Sequence, residues 1–340
     1  MAVIGQYIYN FLSTAMSGLD TNETPKSWQY PSVEDVLSVK MFFVEHTALP
    51  QELVDTIVDY AEYWPHTSTQ IPTEVVVVGS NPEREDRFLL RSYPIGYPES
   101  NDHYAISKSA QSTYPIQKPE PWPKDNEVPG SATDELLREW ASKSLIPTSH
   151  PVRRVVFTIK MKDQGSGGYP HQGTYTGAYS WLEVGLEKVS AMTEKHLLEA
   201  WQKSPRPQVE ISPPAADGKL QRPLICCLRT IDPITETTPD NLDGKFDFPL
   251  LPSNRLLQSN KVAEREPIKY TVTWSSDDDI HPDGPEADRL EETGRARTSG
   301  NGEFVRNLKI GDVITVWGKA RFPGWRNHVQ ELKMDVYWAV

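Results

Sequence analysis

Cysteine is almost missing from this chain: 340 residues contain two, Cys226 and Cys227. Neighbouring residues of a strand point to opposite faces, so a bridge between them is strained, and two thiols alone make a poor zinc site. They read as small apolar strand residues, and the lack of a disulfide framework points to a reducing compartment, cytoplasm or nucleus. Positive charge is also short. Lys and Arg number 35 against 47 Asp and Glu, a formal charge of −12, and no basic cluster exceeds a pair. Nucleic acid demands a concentrated basic surface, so that partner class is set aside. Long apolar runs are absent, and no transmembrane segment is expected. The stretch AVIGQYIYNFLSTAMSG lacks a basic leader and is too short to span a bilayer. Its Ile4, Tyr7, Ile8, Phe11 and Leu12 share one helical face, as in a helix docked on the body. Catalytic signatures are missing too: no Gly-x-Ser-x-Gly, no His-Glu-x-x-His, and eight histidines scattered singly. No cofactor is expected.

What is present in quantity is proline (29) and tyrosine (14), a balance that suits a β-rich, loop-rich protein. The front of the chain reads as helical. Val33, Val36, Leu37, Met41 and Val44 line one face of a helix over 32–44, interrupted by Lys40. A second helix is predicted over 49–64. Pro50 suits its first turn, Glu52 its positive end, and Pro65 stops it. Leu49, Leu53, Val54, Ile57, Val58 and Ala61 form its apolar stripe.

Strand signals follow. Val75 to Val78 and Arg87 to Tyr93 read as a first hairpin across a polar turn. Residues 94–150 carry no periodicity beyond a short helix near 131–143 and read as a long irregular insertion. Val155, Phe157, Ile159 and Met161 alternate along 153–161. Further strands are expected at 178–186, 224–230, 256–260 and 269–274, with short helices at 193–202 and 286–292. A proline-rich loop at 204–222 and an irregular one at 231–253 separate them.

The most patterned stretch is the last. From Val313, Ile314, Val316, Gly318, Ala320 and Phe322 alternate with Thr315, Trp317, Lys319 and Arg321. After Pro323-Gly324, Leu332, Met334, Val336, Trp338 and Val340 alternate with Lys333, Asp335 and Tyr337. Two half-buried antiparallel strands joined at a hairpin tip are expected. The count predicts an α+β chain, with a helical segment over 1–70 and an antiparallel β-sandwich of jelly-roll type over 71–340.

Three stretches could carry chemistry. The loop from Asp163 to Gly177 sets Gln164, Tyr169, His171 and Tyr175 among five glycines, between two strands. Glycines allow close backbone approach, and planar acceptors beside aromatic rings suit carbohydrate hydroxyls, so a glycan or small ligand is a candidate. Trp325 and Arg326 at the tip after Phe322 are favoured recognition residues. Asp277, Asp279 and Asp283, with His281, could ligate a hard cation and so support a metal-assisted hydrolase. They lack the bidentate closure of a calcium loop and read more simply as a solvated turn. Arg289, Arg295 and Arg297 read as salt-bridge partners nearby.

Leu49-Pro50-Gln51-Glu52-Leu53-Val54 with Ile57-Val58-Asp59 resembles the opening of an F-box. That family docks the adaptor subunit of a cullin-type ubiquitin ligase through this helix and selects substrate with a C-terminal domain. The resemblance implies Leu49, Pro50, Leu53 and Ile57 as partner-binding residues. A longer resemblance covers much of 153–340. Asp163-Gln164-Gly165, Gly173-Thr174-Tyr175, Tyr179-Ser180-Trp181-Leu182-Glu183, Val272-Thr273-Trp274 and Gly311 to Val340 look like a family of filamentous-fungal proteins. Those proteins pair a similar Leu-Pro-x-Glu-Leu helix with this C-terminal block. Where the family has Trp in the glycine loop, this chain has Ser166. The family implies a galactose-binding-like or F-box-associated sandwich but no activity. The leading expectation is a non-enzymatic protein-interaction module.

Overall fold

A computed structural model describes residues 30–47, 49–81, 84–93, 95–96, 150–192, 225–233, 235–236, 245–246 and 248–340, with the backbone alone described at 188–192, 225–231, 235–236 and 245–246. The expectations for the N-terminal apolar stretch, for all but the ends of the 94–150 insertion, for the 193–202 helix and for the 204–222 loop lie outside these residues. The chain divides into two compact units, Met1–His66 with Ala339–Val340, and Thr67–Trp338. No described helix is long and apolar enough to cross a membrane.

In the first unit, helix α1 spans Val33–Thr47. Its start is a reciprocal capping box: Asp35 N–H donates to Ser32 Oγ at 3.1 Å, and Ser32 N–H to Asp35 Oδ2 at 2.9 Å. The helix buries Val33 and Val36 but leaves Leu37, Met41 and Val44 exposed. Lys40 and Phe43 are half-buried instead. The reason is electrostatic: Lys40 Nζ lies 2.7 Å from Asp55 of the next helix and also donates to the Val340 carbonyl oxygen. The lysine that interrupts the predicted stripe therefore points inward.

Helix α2 spans Gln51–Tyr60, shorter than the predicted 49–64. It ends before Pro65 because Glu62 adopts φ 51°, with Tyr63 N–H donating to Val58 O and Glu62 N–H to Asp59 O. This is a Schellman ending with Glu where glycine is usual. Trp64 folds back to donate its indole N–H to Asp59 Oδ1 at 2.8 Å.

The chain then enters strand β1 (His66–Gln70), which the polar sequence HTSTQ did not suggest. The remaining strands are β2 (Val75–Val78), β3 (Asp86–Arg91), β4 (Val152–Lys162), β5 (Ser180–Met192), β6 (Ile225–Asp232), β7 (Thr235–Glu236), β8 (Lys245–Phe246), β9 (Leu256–Ser259), β10 (Ile268–Ser275), β11 (Val313–Ala320) and β12 (Arg326–Trp338). Helix α3 (Pro285–Glu292), a 3-10 turn (Arg297–Gly300) and α4 (Glu303–Arg306) lie between β10 and β11.

Two antiparallel five-stranded sheets form the sandwich. The first runs β1-β12-β4-β10, with β2 also on β12; the second runs β3-β11-β5-β6, with β9 also on β5. β7 and β8 form a separate ladder inside the loop expected to be irregular. Val155, Phe157, Ile159 and Met161 are fully buried and stand opposite Trp274, Val272, Tyr270 and Ile268 of β10. On the other side they face Val336, Met334, Leu332 and Val329 of β12. Each full burial of such a side chain contributes about 1.5–3 kcal/mol, and a one-residue slip would turn all of them outward. The sheets meet closely at Gly318 of β11, where an added Cβ would lie 2.9 Å from Val77 of the opposite sheet.

Two expectations are corrected. The strands at 75–78 and 86–91 are not a hairpin, because β2 joins β12 in one sheet and β3 joins β11 in the other. The last two strands do not pair either: β11 is central in the second sheet and β12 in the first. Residues 321–325 form a corner between sheets rather than a hairpin tip. Phe322 turns it with φ 64°, and Gly79 is pressed so close that an added Cβ would come 2.4 Å from the Phe322 carbonyl oxygen.

Candidate functional site

Register places four inter-sheet connections at one end of the sandwich. Lys162 pairs with His328, Ser180 with Ala320, Val78 with Arg326, and Asp86 with Lys319. The links β2–β3, β4–β5, β9–β10 and β11–β12 therefore cross together. This brings the glycine loop and the Trp325–Arg326 corner onto one surface, where Arg326 N–H approaches Gln164 Oε1 at 3.4 Å. Tyr179 lies edge-on to both Phe322 and Trp325, with ring centroids 4.6 and 5.4 Å away.

Beneath the surface is a polar clamp. Asn260 Nδ2 donates to Ser180 Oγ and to Asn327 Oδ1, each at 3.0 Å, and Asn327 Nδ2 donates to the Trp181 carbonyl at 2.8 Å. Asp163 belongs to this framework. It is fully buried and accepts from Gly165 N–H at 2.8 Å and from Ala263 N–H across the loops. Burial pushes its carboxyl above the usual range, while the N–H groups of Gly165, Ala263 and Glu264 pull the other way. Gln164 is half-buried, its amide donating to Ser166 O at 2.8 Å. Both planar acceptors expected to meet a ligand are thus engaged within the protein.

Tyr169 is 89% exposed, and His171 and Arg326 are exposed. Tyr175 and Trp325 are half-buried. Tyr175 is wedged against Gly294 and carries Lys261 Nζ 5.7 Å from its ring centre.

The aspartate run does not gather into a cluster among the described residues. Asp277, Asp279 and Asp283 are exposed, and no described group of His, Cys, Asp and Glu could hold a metal ion. Asp278, between two of them, instead accepts from Ser275 N–H at 2.8 Å and closes the turn. Burial raises its carboxyl, with Arg295 and Arg306 opposing. Arg297 pairs with Asp288 and Glu291 of α3 rather than with the aspartate run.

Sequence reading missed the charged outer face of the second sheet. All eight residues of β11 are buried, so its supposedly solvent-facing positions are covered as well. Lys319 Nζ lies 3.0 Å from Glu183 and 3.6 Å from Asp86, 4.5 Å above the Phe248 ring. Arg321 donates to Asp86 at 2.7 Å and to the Pro249 carbonyl at 3.0 Å. Arg91 makes two bonds to Glu187, one of 2.7 Å. The three cations balance the three carboxylates. Two tryptophans, Trp181 and Trp317, on this nominally polar stripe were the available sign of burial.

At the opposite end of β10 is a cavity of about 30 Å³, walled by Arg255, Trp274, Ser299, Phe304 and their neighbours. One Arg255 Nη2 pairs with Asp232 at 2.9 Å, and its guanidinium lies 5.0 Å from the Phe304 ring centre. Arg255 Nη1, Trp274 Nε1 and Ser299 Oγ are each buried without a hydrogen-bond partner. A buried donor left unmatched costs about 1–3 kcal/mol, so three around one cavity are a substantial local expense.

Comparison of the chain with protein-family models, curated proteins and solved structures finds no match in any of the three.

Proposed function

We propose that this protein is a non-enzymatic interaction module that docks a protein partner through its helical pair. One observation carries the reading. Among the described residues, seven large apolar side chains are exposed within 30–66, against four in all of 67–338 (Tyr169, Leu250, Leu251 and Phe322). On α1 the exposed Leu37, Met41 and Val44 follow i, i+4, i+7 spacing, which makes one continuous stripe. On α2, Leu53 is 51% and Tyr60 80% exposed, with half-buried Ile57 between them. Exposed apolar stripes on neighbouring helices are a common protein-docking surface.

The Leu-Pro-x-Glu-Leu resemblance supports a ubiquitin-ligase adaptor as the partner. Leu49 is half-buried and Pro50 exposed, so the resembling residues can be reached from solvent. The sandwich would then present substrate. We read it as of jelly-roll, galactose-binding-like type, because β2, β3, β4 and β5 alternate between the sheets, as do β9 to β12. The test is capture of purified adaptor by the full chain. Wild type should bind and Leu53→Asp should lose capture while melting at the wild-type temperature. Failure of the wild-type chain to bind the adaptor overturns the ligase assignment.

A further inference from the structure

We propose that the cavity at Arg255, Trp274 and Ser299 is a binding site for a single carboxylate group. Its three unmatched polar groups can all donate: a guanidinium N–H, an indole N–H and a hydroxyl. Trp274 and Ser299 are 4% and 8% exposed, so bulk water does not serve their donors; the Arg255 side chain is 30% exposed, but its Nη1 atom is buried. Two carbonyls of the lining residues are engaged elsewhere: that of Asn254 accepts from Thr298 Oγ at 2.7 Å, and that of Asn301 accepts from Arg306. The missing partner is therefore an acceptor.

Size and charge narrow it further. One water needs about 10–15 Å³ of such space, so about 30 Å³ admits a group of a few heavy atoms. Arg255 contributes a positive charge that Asp232 partly offsets, which favours a monoanion over a doubly charged phosphate. The planar guanidinium is held over the Phe304 ring and keeps one arm unpaired, the geometry that meets a carboxylate oxygen. The site shares no residue with the proposed helical docking face, and its argument does not rest on that reading.

A carboxylate can come from a free small acid or from the end of a peptide. The experiment follows the indole N–H resonance of Trp274 in the intact chain, assigned through Trp274→Phe. It is titrated with sodium acetate, with sodium chloride at matched ionic strength, and with sulfate. A saturable shift with acetate and none with chloride or sulfate is expected. Ser299→Ala and Arg255→Gln should each bind about tenfold or more weakly, the factor that losing one hydrogen bond to a charged acceptor brings. A capped dipeptide with a free C-terminal carboxylate, compared with its amide, assigns the source. Tighter binding than acetate marks a chain end, and equal or weaker binding marks a small acid. A linear shift shared with chloride, equal response to sulfate, or wild-type affinity in a folded Ser299→Ala protein overturns the proposal. If a variant fails to fold, the wild-type titration still decides.

Discussion

The helical unit and the second sheet of the sandwich have opposite habits. The helices leave Leu37, Met41, Val44 and Leu53 in solvent while drawing Lys40 inward to Asp55. The sheet covers Asp86, Arg91, Glu183, Glu187, Lys319 and Arg321 on its outer face. Buried charges that are matched by opposite charges hold a structure in one arrangement, even where, as at Lys319 Nζ 3.0 Å from Glu183, the match is by charge without a hydrogen bond. Exposed apolar stripes do the reverse: they add little to the fold and gain on being covered. The contrast is the ground for the proposed docking role of the helices and for expecting rigidity in the sandwich.

That contrast can be broken from either side. The largest effect is expected from Lys319→Ala, which removes the cation between Asp86 and Glu183. Breaking a buried pair from one side costs about 3–5 kcal/mol. Chemical denaturation should show that loss, and an unchanged midpoint would mean the network is solvated. Gly79→Ala should come next. The added methyl collides with the Phe322 carbonyl and displaces the corner, at a cost of about 1–3 kcal/mol. Adaptor capture by this variant should persist if the helical unit is independent of the corner.

Smaller changes sharpen the helical side. Glu62→Gly relieves a left-handed residue at the end of α2. The relief of about 1–2 kcal/mol, less the added chain entropy of glycine, leaves a gain of about 0.5–1 kcal/mol. Hydrogen exchange of the α2 amides should slow accordingly. Leu53→Asp should shift stability by no more than about 0.5 kcal/mol, as expected of an exposed position, even as docking is lost. A large destabilisation there would show that Leu53 is core and remove the basis of the docking surface.

Period-two alternation located β4, β10, β11 and β12, because apolar faces in contact with a core leave that mark whichever strands they pair with. For the same reason it could not say which strands are neighbours. The 75–91 segment and the chain's final two strands both looked like hairpins, and both cross between sheets. Polar β1 was invisible because Thr67 and Thr69 are buried with little apolar signal. In the candidate site, the sequence identified the glycine loop and the 325–326 turn, which do share one end. It could not foresee that Asp163 and Gln164 would spend their hydrogen bonds inside it. The Arg255–Trp274–Ser299 cavity draws on distant segments that carry no common motif.

What the sequence by itself determined is local: apolar spacing over 32–44 marks a helix, Pro50 opens another, and alternating Val, Phe, Ile and Met make a strand with one buried face. Tertiary structure alone decided which charges could be buried. Lys319 and Arg321 look solvent-facing along their own strand. They lie inside because register sets them beside Asp86 and Glu183, while Phe248 and Pro249 close over them. Burial of a charge depends on an opposite charge arriving from elsewhere in the chain, and a strand's own pattern does not record that arrival.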